Sequence, residues 1–537
     1  MHPDRLLAVV AVVVFTCVLP LAAQPPFDLV VSGGSLVDGT GQPARTVDVG
    51  IRSGRIAEIG DLTDQARTRT IDATGLVVAP GFIDLHTHAD GSAAQHPEAK
   101  NFLRMGVTTI ITGNCGSSVT DLANHFAKVK KLGISLNYGS LIGHGTVRRK
   151  AMGTADRAPT KAELVRMQGF VDQAMRAGAQ GMSTGLIYVP GTYAKTDELI
   201  ALSRVVARHG GIYASHMRDE GRRVLNSIDE ALRIGRESKV RLHLSHLKAS
   251  GKNNWGRGQD IVKRIADARA QGVKVTGDQY AYTASSTSID VLFPSKELAV
   301  TRGKFALKLK NDSAFRARMH QELLKKMDRV GFGDLHYCQI AYAPSHAKLS
   351  GKSLKEAAKI LLGKDDREAQ ATVTIDLFIA SKGRRISMVY HKMTEPDVET
   401  IMRAPFVAVA CDAGIRVRGA AKPHPRGAGN NSRVLARYVR EREVISMSLA
   451  VRKMSGLPAE AFGLEDRGVV KTGAWADLVL FDPKTVQDRA TYDAPYEAPA
   501  GMPWVIVNGI VVVENGKHNG KRPGQVLRRR STLVGGR

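Results

Sequence analysis

The run Gly81-Phe82-Ile83-Asp84-Leu85-His86-Thr87-His88-Ala89-Asp90 decides how this chain is read. Apolar residues after the Pro80-Gly81 turn mark a short strand. Side chains alternate along a strand, so a His-x-His at its end puts two imidazoles on one side, where they can share a metal ion. The C-terminal end of a strand is where (β/α)8 barrels carry their active sites.

On both sides of this run, short apolar segments alternate with amphipathic helical stretches. Val107-Thr-Thr-Ile-Ile-Thr112, Ile212-Tyr-Ala-Ser-His216, Arg241-Leu-His-Leu-Ser-His246 and Val273-Lys-Val-Thr-Gly-Asp278 read as strands, and Lys161 to Ala177 and Val224 to Glu237 carry helical spacing. That rhythm predicts an α/β protein whose parallel sheet closes into a (β/α)8 TIM-like barrel over residues 81–465. A Lys- and Arg-rich helical stretch near 295–335 interrupts it and reads as an insertion over the barrel mouth.

The texture differs at the two ends. Phe27-Asp-Leu-Val-Val-Ser-Gly-Gly34 and Thr46-Val-Asp-Val-Gly-Ile-Arg-Ser-Gly-Arg-Ile56 alternate and break at glycines, as do Ala476-Asp-Leu-Val-Leu-Phe-Asp482 and Trp504-Val-Ile-Val-Asn-Gly-Ile-Val-Val-Val-Glu-Asn-Gly516. These are signals of antiparallel strands and hairpins. Residues 24–80 and 466–520 are therefore expected to pair into one small β-sandwich. The last stretch, 521–537, holds Lys521-Arg522 and Arg528-Arg529-Arg530 and reads as a basic, solvated tail.

Arg5, the apolar run Leu6 to Leu19 and the small pair Ala22-Ala23 form the pattern of a signal peptide over residues 1–23, with the mature chain starting near Gln24. The expectation is an exported protein, periplasmic or secreted. About 20 apolar residues are needed to cross a membrane, and no run of that length follows. Beyond Cys17, the cysteines Cys115, Cys338 and Cys411 are odd in number and scattered, which is no disulfide framework. A composition of 43% hydrophobic and 24% charged residues excludes a disordered or fibrous chain. The formal charge of +26 is spread along the chain without a nucleic-acid motif, so it excludes no small-molecule chemistry and signals no nucleic-acid partner.

Other metal-capable or acidic residues close later strand-like runs: Cys115 in Thr112-Gly-Asn-Cys-Gly116, His216, His246, and Asp412 in Val409-Ala-Cys-Asp-Ala-Gly414. Singly, each is an ordinary packing or surface residue. Together they fall at successive strand ends, which a barrel gathers whatever their separation in sequence. Neutral imidazole and thiolate suit zinc.

At this level of detail the chain resembles the N-acyl-D-amino-acid deacylases (D-aminoacylases) of the amidohydrolase superfamily, over nearly all of the mature length. The motifs that carry the likeness are His86-Thr-His88, Gly106-Val-Thr-Thr-Ile-Ile-Thr-Gly-Asn-Cys-Gly116, Met182-Ser-Thr-Gly-Leu-Ile-Tyr-Val-Pro-Gly191, His216-Met-Arg-Asp-Glu-Gly221, and His424-Pro-Arg426 downstream of Asp412. The resemblance implies that Cys115, His216 and His246 hold a tightly bound zinc. By the same resemblance His86 and His88 belong to a second, weaker position that Cys115 bridges, and Asp412 transfers the proton. Related hydantoinases and dihydroorotases are similar in the His-x-His strand but bridge through a carboxylated lysine. Ala179-Gln-Gly-Met-Ser-Thr-Gly185 offers no lysine there, which favours the deacylase. Lys248 and Arg426 match positions that bind the substrate α-carboxylate, and Tyr188 and Tyr280 match tyrosines lining the site. The chain departs from the family pattern at Cys411, at Tyr280-Ala-Tyr282, and in a longer stretch between Asp412 and Arg426.

The reaction implied is hydrolysis of the amide bond of an N-acyl-D-amino acid. Two other readings stand beside it: a cyclic amidase or dipeptidase-like hydrolase on the same barrel, and a non-catalytic envelope-binding protein that keeps the barrel as scaffold.

Overall fold

The computed structural model describes residues 25–529. The expected signal peptide lies outside the described residues. Among those described, no helix is long and apolar enough to cross a membrane.

Eight strands make the barrel: β1 (Phe82–Asp84), β2 (Val107–Thr112), β3 (Asn137–Ser140, continued by Ile142–Gly143), β4 (Gly181–Gly185), β5 (Ile212–His216), β6 (Arg241–Leu244), β7 (Val275–Gln279) and β8 (Val407–Val409). Each pairs in parallel with the next. The ring closes beyond the ends of β8 and β1, where Thr87 bridges Ala413 and His88 N donates to Ala413 O at 2.9 Å. β2 is buried along its whole length, as a parallel strand covered on both faces must be.

Helices wrap the ring with their apolar faces inward. Lys161–Arg176 starts in a capping box between Thr160 and Glu163, and Val224–Ser238 buries Val224, Ile228, Ala231, Leu232 and Ile234.

The two terminal segments meet where Val77–Pro80 pairs antiparallel to Leu478–Phe481. This pair lies inside a seven-stranded sheet that packs on a four-stranded sheet, around Leu29, Val31, Ile51, Ile71, Leu480 and Ile506. Pro80 hands the chain directly to β1. Gly81 is required at that step, because a Cβ there would lie 2.3 Å from the Thr108 side chain.

The interruption of the barrel rhythm is larger than the helical stretch near 295–335. A three-stranded antiparallel sheet (Ala284–Ser288, Ser387–His391 and Cys338–Tyr342) carries four helices between β7 and β8. It has its own core of Phe293, Phe305, Phe315, Leu323, Tyr337 and Phe378. Its first and last strands in the chain, Ala284–Ser288 and the central Ser387–His391, are about a hundred residues apart in sequence, so only their pairing reveals the unit.

The expected basic tail is also corrected by the structure. Residues 524–529 run along the wall of the barrel between β3 and β4, half-buried apart from the exposed Arg528. Gly524 N donates to Ile134 O, Tyr138 N to Gln525 O, Leu527 N to Tyr138 O and Arg529 N to Gly178 O, at 2.8 to 3.0 Å. Main-chain bonding of this kind is indifferent to side-chain charge, which is why a basic composition did not announce it.

Candidate active site

Every sequence-predicted site residue lies at the C-terminal mouth of the barrel. His86 and His88 follow β1, Cys115 follows β2, His216 ends β5, His246 follows β6 and Asp412 follows β8. Three of them leave their strands through a left-handed turn, with φ of 52° at Cys115, 37° at His246 and 50° at Asp412. Such conformations are costly for residues with a Cβ and cluster where function fixes side-chain direction. Gly185 makes room for one of these turns, since a Cβ there would lie 2.2 Å from the Cys115 carbonyl oxygen.

Cys115 is the hub. Its Sγ lies 3.2 Å from His86 Nε2, 3.4 Å from His216 Nδ1 and 3.6 Å from His246 Nε2. Burial alone would raise the thiol, but the charges of His86 and His216 outweigh it and hold it well below the ordinary range, as thiolate. Beside it, Asp412 Oδ1 lies 3.0 Å from His88 Nε2 and 3.6 Å from His86 Nε2. Three overlapping groups of donors result: His86, Cys115 and His246; His86, His88 and Asp412; and His216, Glu220 and His246.

The donors fit zinc. Zinc bonds of about 2.0 to 2.3 Å to nitrogen and sulfur put tetrahedral ligands roughly 3.3 to 3.7 Å apart, the range of the Cys115 contacts. His216 Nε2 is buried with no hydrogen-bond partner, while its Nδ1 faces His246 Nε2 at 2.8 Å as well as the Cys115 sulfur.

Asp412 is the other pivot. Burial pushes its carboxyl up, but Arg426 and His86 hold it ionised, and Arg426 Nη2 lies 2.9 Å from its Oδ2. Arg426 Nη1 has no partner, and the guanidinium stacks 4.4 Å over the Tyr280 ring, whose own buried hydroxyl is also unpartnered. These free donors share one wall. His424 accepts from Arg426 N and reaches Ala284 O with its other nitrogen, and burial and Arg426 together keep it neutral. Tyr188 packs edge-on against His216, and its hydroxyl meets Thr287 of the inserted unit at 3.0 Å. Lys248 lies in the site but is engaged, 2.5 Å from Glu220 Oε1 and 2.8 Å from His246 Nδ1.

Sequence reading passed over two carboxylates. Asp278 at the end of β7 receives the His246 amide at 2.8 Å and faces His243 Nε2 at 2.8 Å and His86 Nδ1 at 3.3 Å. Its strand-end position in Val273-Lys-Val-Thr-Gly-Asp278 was the signal available. Burial pushes it up, yet His86 and His243 hold it far below the usual carboxylate range. Glu220, four residues past His216, lies 2.8 Å from His246 Nδ1 and so orients that ring.

The pattern that defines the amidohydrolase family matches residues 69–278 and 314–513. The chain is 35% identical to a D-aminoacylase of Alcaligenes xylosoxydans xylosoxydans, over 94% of this chain and 98% of that one. It is 36% identical to an N-acyl-D-glutamate deacylase of the same organism, over 95% and 99%. Its structure is similar to that of the N-acyl-D-glutamate deacylase from Bordetella bronchiseptica, solved with zinc and a phosphonate inhibitor that mimics the tetrahedral intermediate. The TM-score is 0.79 at 34% identity, covering 94% of this chain and all of the other.

Proposed function

The chain belongs to the amidohydrolase family, in its branch of N-acyl-D-amino-acid deacylases, and from that membership we propose how its residues hydrolyse an N-acyl-D-amino acid to a carboxylate and a free D-amino acid. Its cofactor is zinc. The observation that carries the mechanism is the convergence of His86, His216 and His246 on the Cys115 sulfur beside the Asp412 carboxyl.

Cys115, His216 and His246 would hold the tight zinc, with His86 and His88 at the adjoining position. When bound, zinc supplies Lewis-acid polarisation of the amide carbonyl and acidifies the attacking water.

The remaining steps fall to the protein. Asp412 Oδ1, facing the imidazoles of His86 and His88, takes the proton of the attacking water and returns it to the amide nitrogen, so that the amine leaves neutral. Arg426 and Tyr280 offer unpartnered donors to the α-carboxylate, and a guanidinium grips that group better than a point charge can. Tyr188, against His216, donates to the amide carbonyl oxygen as charge develops there. Lys248 acts through Glu220 and His246, so its first task is to orient a ligand.

Assays with N-acetyl-D-methionine, N-acetyl-D-glutamate, N-acetyl-L-methionine and hydantoin test this. Release of free D-amino acid is expected; opening of hydantoin without deacylation of any D-substrate would overturn it.

We also propose export, on the strength of Arg5, the Leu6 to Leu19 run and Ala22-Ala23. N-terminal sequencing of the protein from the periplasm and the medium should find a chain beginning near Gln24. A full-length chain retained in the cytoplasm would refute it.

A further inference from the structure

We propose that Lys392 reads the substrate side chain and makes dicarboxylic substrates, N-acyl-D-glutamate or N-acyl-D-aspartate, the preferred ones. This rests on the deacylase reading above. Overall similarity does not choose the side chain, since the D-aminoacylase and the D-glutamate deacylase match this chain equally well.

Lys392 is placed by two tethers. It follows the inserted strand Ser387–His391, and its ammonium lies 5.3 Å from the Tyr390 ring centroid. Its carbonyl oxygen accepts from Gly251 N at 2.8 Å and from Trp255 Nε1 at 3.2 Å, which ties it to the loop that carries Lys248. Tyr390 in turn donates to Ser288 O, beside the Thr287 that meets Tyr188. The inserted unit thus ties the Lys392 main chain to the loop that carries Lys248 and sets Tyr390 beside the strand that meets Tyr188, and the groups that act electrostatically on the Lys392 ammonium are Glu220, Lys326, Lys248 and the Cys338 thiol.

Pairing the charges around the site leaves Lys392 over. Arg426 is paired with Asp412 at 2.9 Å, and Glu220 is committed to Lys248 at 2.5 Å and to His246 at 2.8 Å. Among the described residues no carboxylate lies within ion-pair distance of Lys392, nor of Lys326, which helix Ser313–Val330 adds behind it. Lys392 is half-buried, and desolvation pushes its ammonium down to about 8, so it is still mostly charged at neutral pH.

An N-acyl-D-amino acid with a neutral side chain brings one carboxylate, which Arg426 and Tyr280 take. Lys392 would then be shut in without a counter-charge, and an unpaired buried charge is costly. A second carboxylate on the side chain removes that cost. Selection for it follows from what the neutral competitor leaves unpaired.

The test is a kcat/KM panel on the full zinc-loaded chain with the N-acetyl derivatives of D-glutamate, D-aspartate, D-methionine and D-leucine. The wild type should favour at least one acidic substrate over both neutral ones. In Lys392→Met the acidic-to-neutral ratio should fall by roughly 30-fold or more, the scale of breaking a buried charge pair, and Lys392→Arg should restore much of it. Using a ratio cancels general damage to the fold. A wild type that prefers D-methionine or D-leucine, or an unchanged ratio in Lys392→Met, would overturn this assignment and leave the deacylase standing. No hydrolysis of any of the four would take down both.

Discussion

The carboxylate of Asp278 stands between two rings that sequence separates widely, with Oδ2 3.3 Å from His86 Nδ1 and 2.8 Å from His243 Nε2. It also receives the His246 amide, so one buried anion orients candidate ligands from two strands. Such outer partners typically carry about a 10- to 100-fold share of metal affinity. Asp278→Asn, which puts an amide nitrogen against ring nitrogens, should weaken zinc retention by that factor. Zinc content after dialysis against graded chelator reads it, and retention equal to wild type would remove Asp278 from the metal support.

Asp412 and Cys115 should separate cleanly by what each variant loses. Asp412→Asn keeps the Cys115, His216 and His246 donors, so a tight zinc should stay while kcat falls by about 10²- to 10⁴-fold, the range for a positioned proton-transfer group. Cys115→Ala removes the hub that three imidazoles share, and zinc itself should be lost. Metal analysis beside kinetics decides both, and full zinc in Cys115→Ala would strike it from the ligand set.

What could be read in advance depended on whether a signal was local. His86 and His88 are legible because alternation within three residues fixes a shared side, and Cys115, His216, His246 and Asp412 because each closes an apolar run. Asp278 closes such a run too, but its meaning comes from His86, His243 and His246, and nothing local announces those partners. The inserted unit hid for the same reason: its first and last strands pair only across about a hundred intervening residues. Lys392, just past the last strand of that unit, carries no local signal that marks it out.

The C-terminal run offers a stability test. Truncation after Arg522 would remove the bonds of Gly524, Gln525, Leu527 and Arg529 to Ile134, Tyr138 and Gly178. At about 0.5 to 1.5 kcal/mol net each, four such bonds amount to roughly 2 to 6 kcal/mol. Calorimetry should show a melting temperature lower by several degrees. A truncated chain that melts with the wild type would mean that β3 and β4 hold the barrel closed unaided.

Lys453 supplies the pH test, well away from the metal ligands. Its side chain is fully buried and donates to the carbonyl oxygens of Ala404 and Val407, just before and at the start of β8. Burial, with Arg452 adding to it, pushes the ammonium from 10.5 down to about 7. Between those two values the unfolded chain holds a proton that the folded one has released, so the contribution of Lys453 to stability rises with pH from about 7 to 10.5 and is smallest below 7. Lys453→Met loses the hydrogen bonds at every pH but also loses the slope. The gap in unfolding free energy between wild type and variant should therefore shift in favour of the wild type by up to about 1.4 kcal/mol per pH unit across that window. Denaturation of both proteins at pH 6, 8 and 9.5 measures it, and a constant gap would show that Lys453 stays protonated in the fold, held by its two carbonyls.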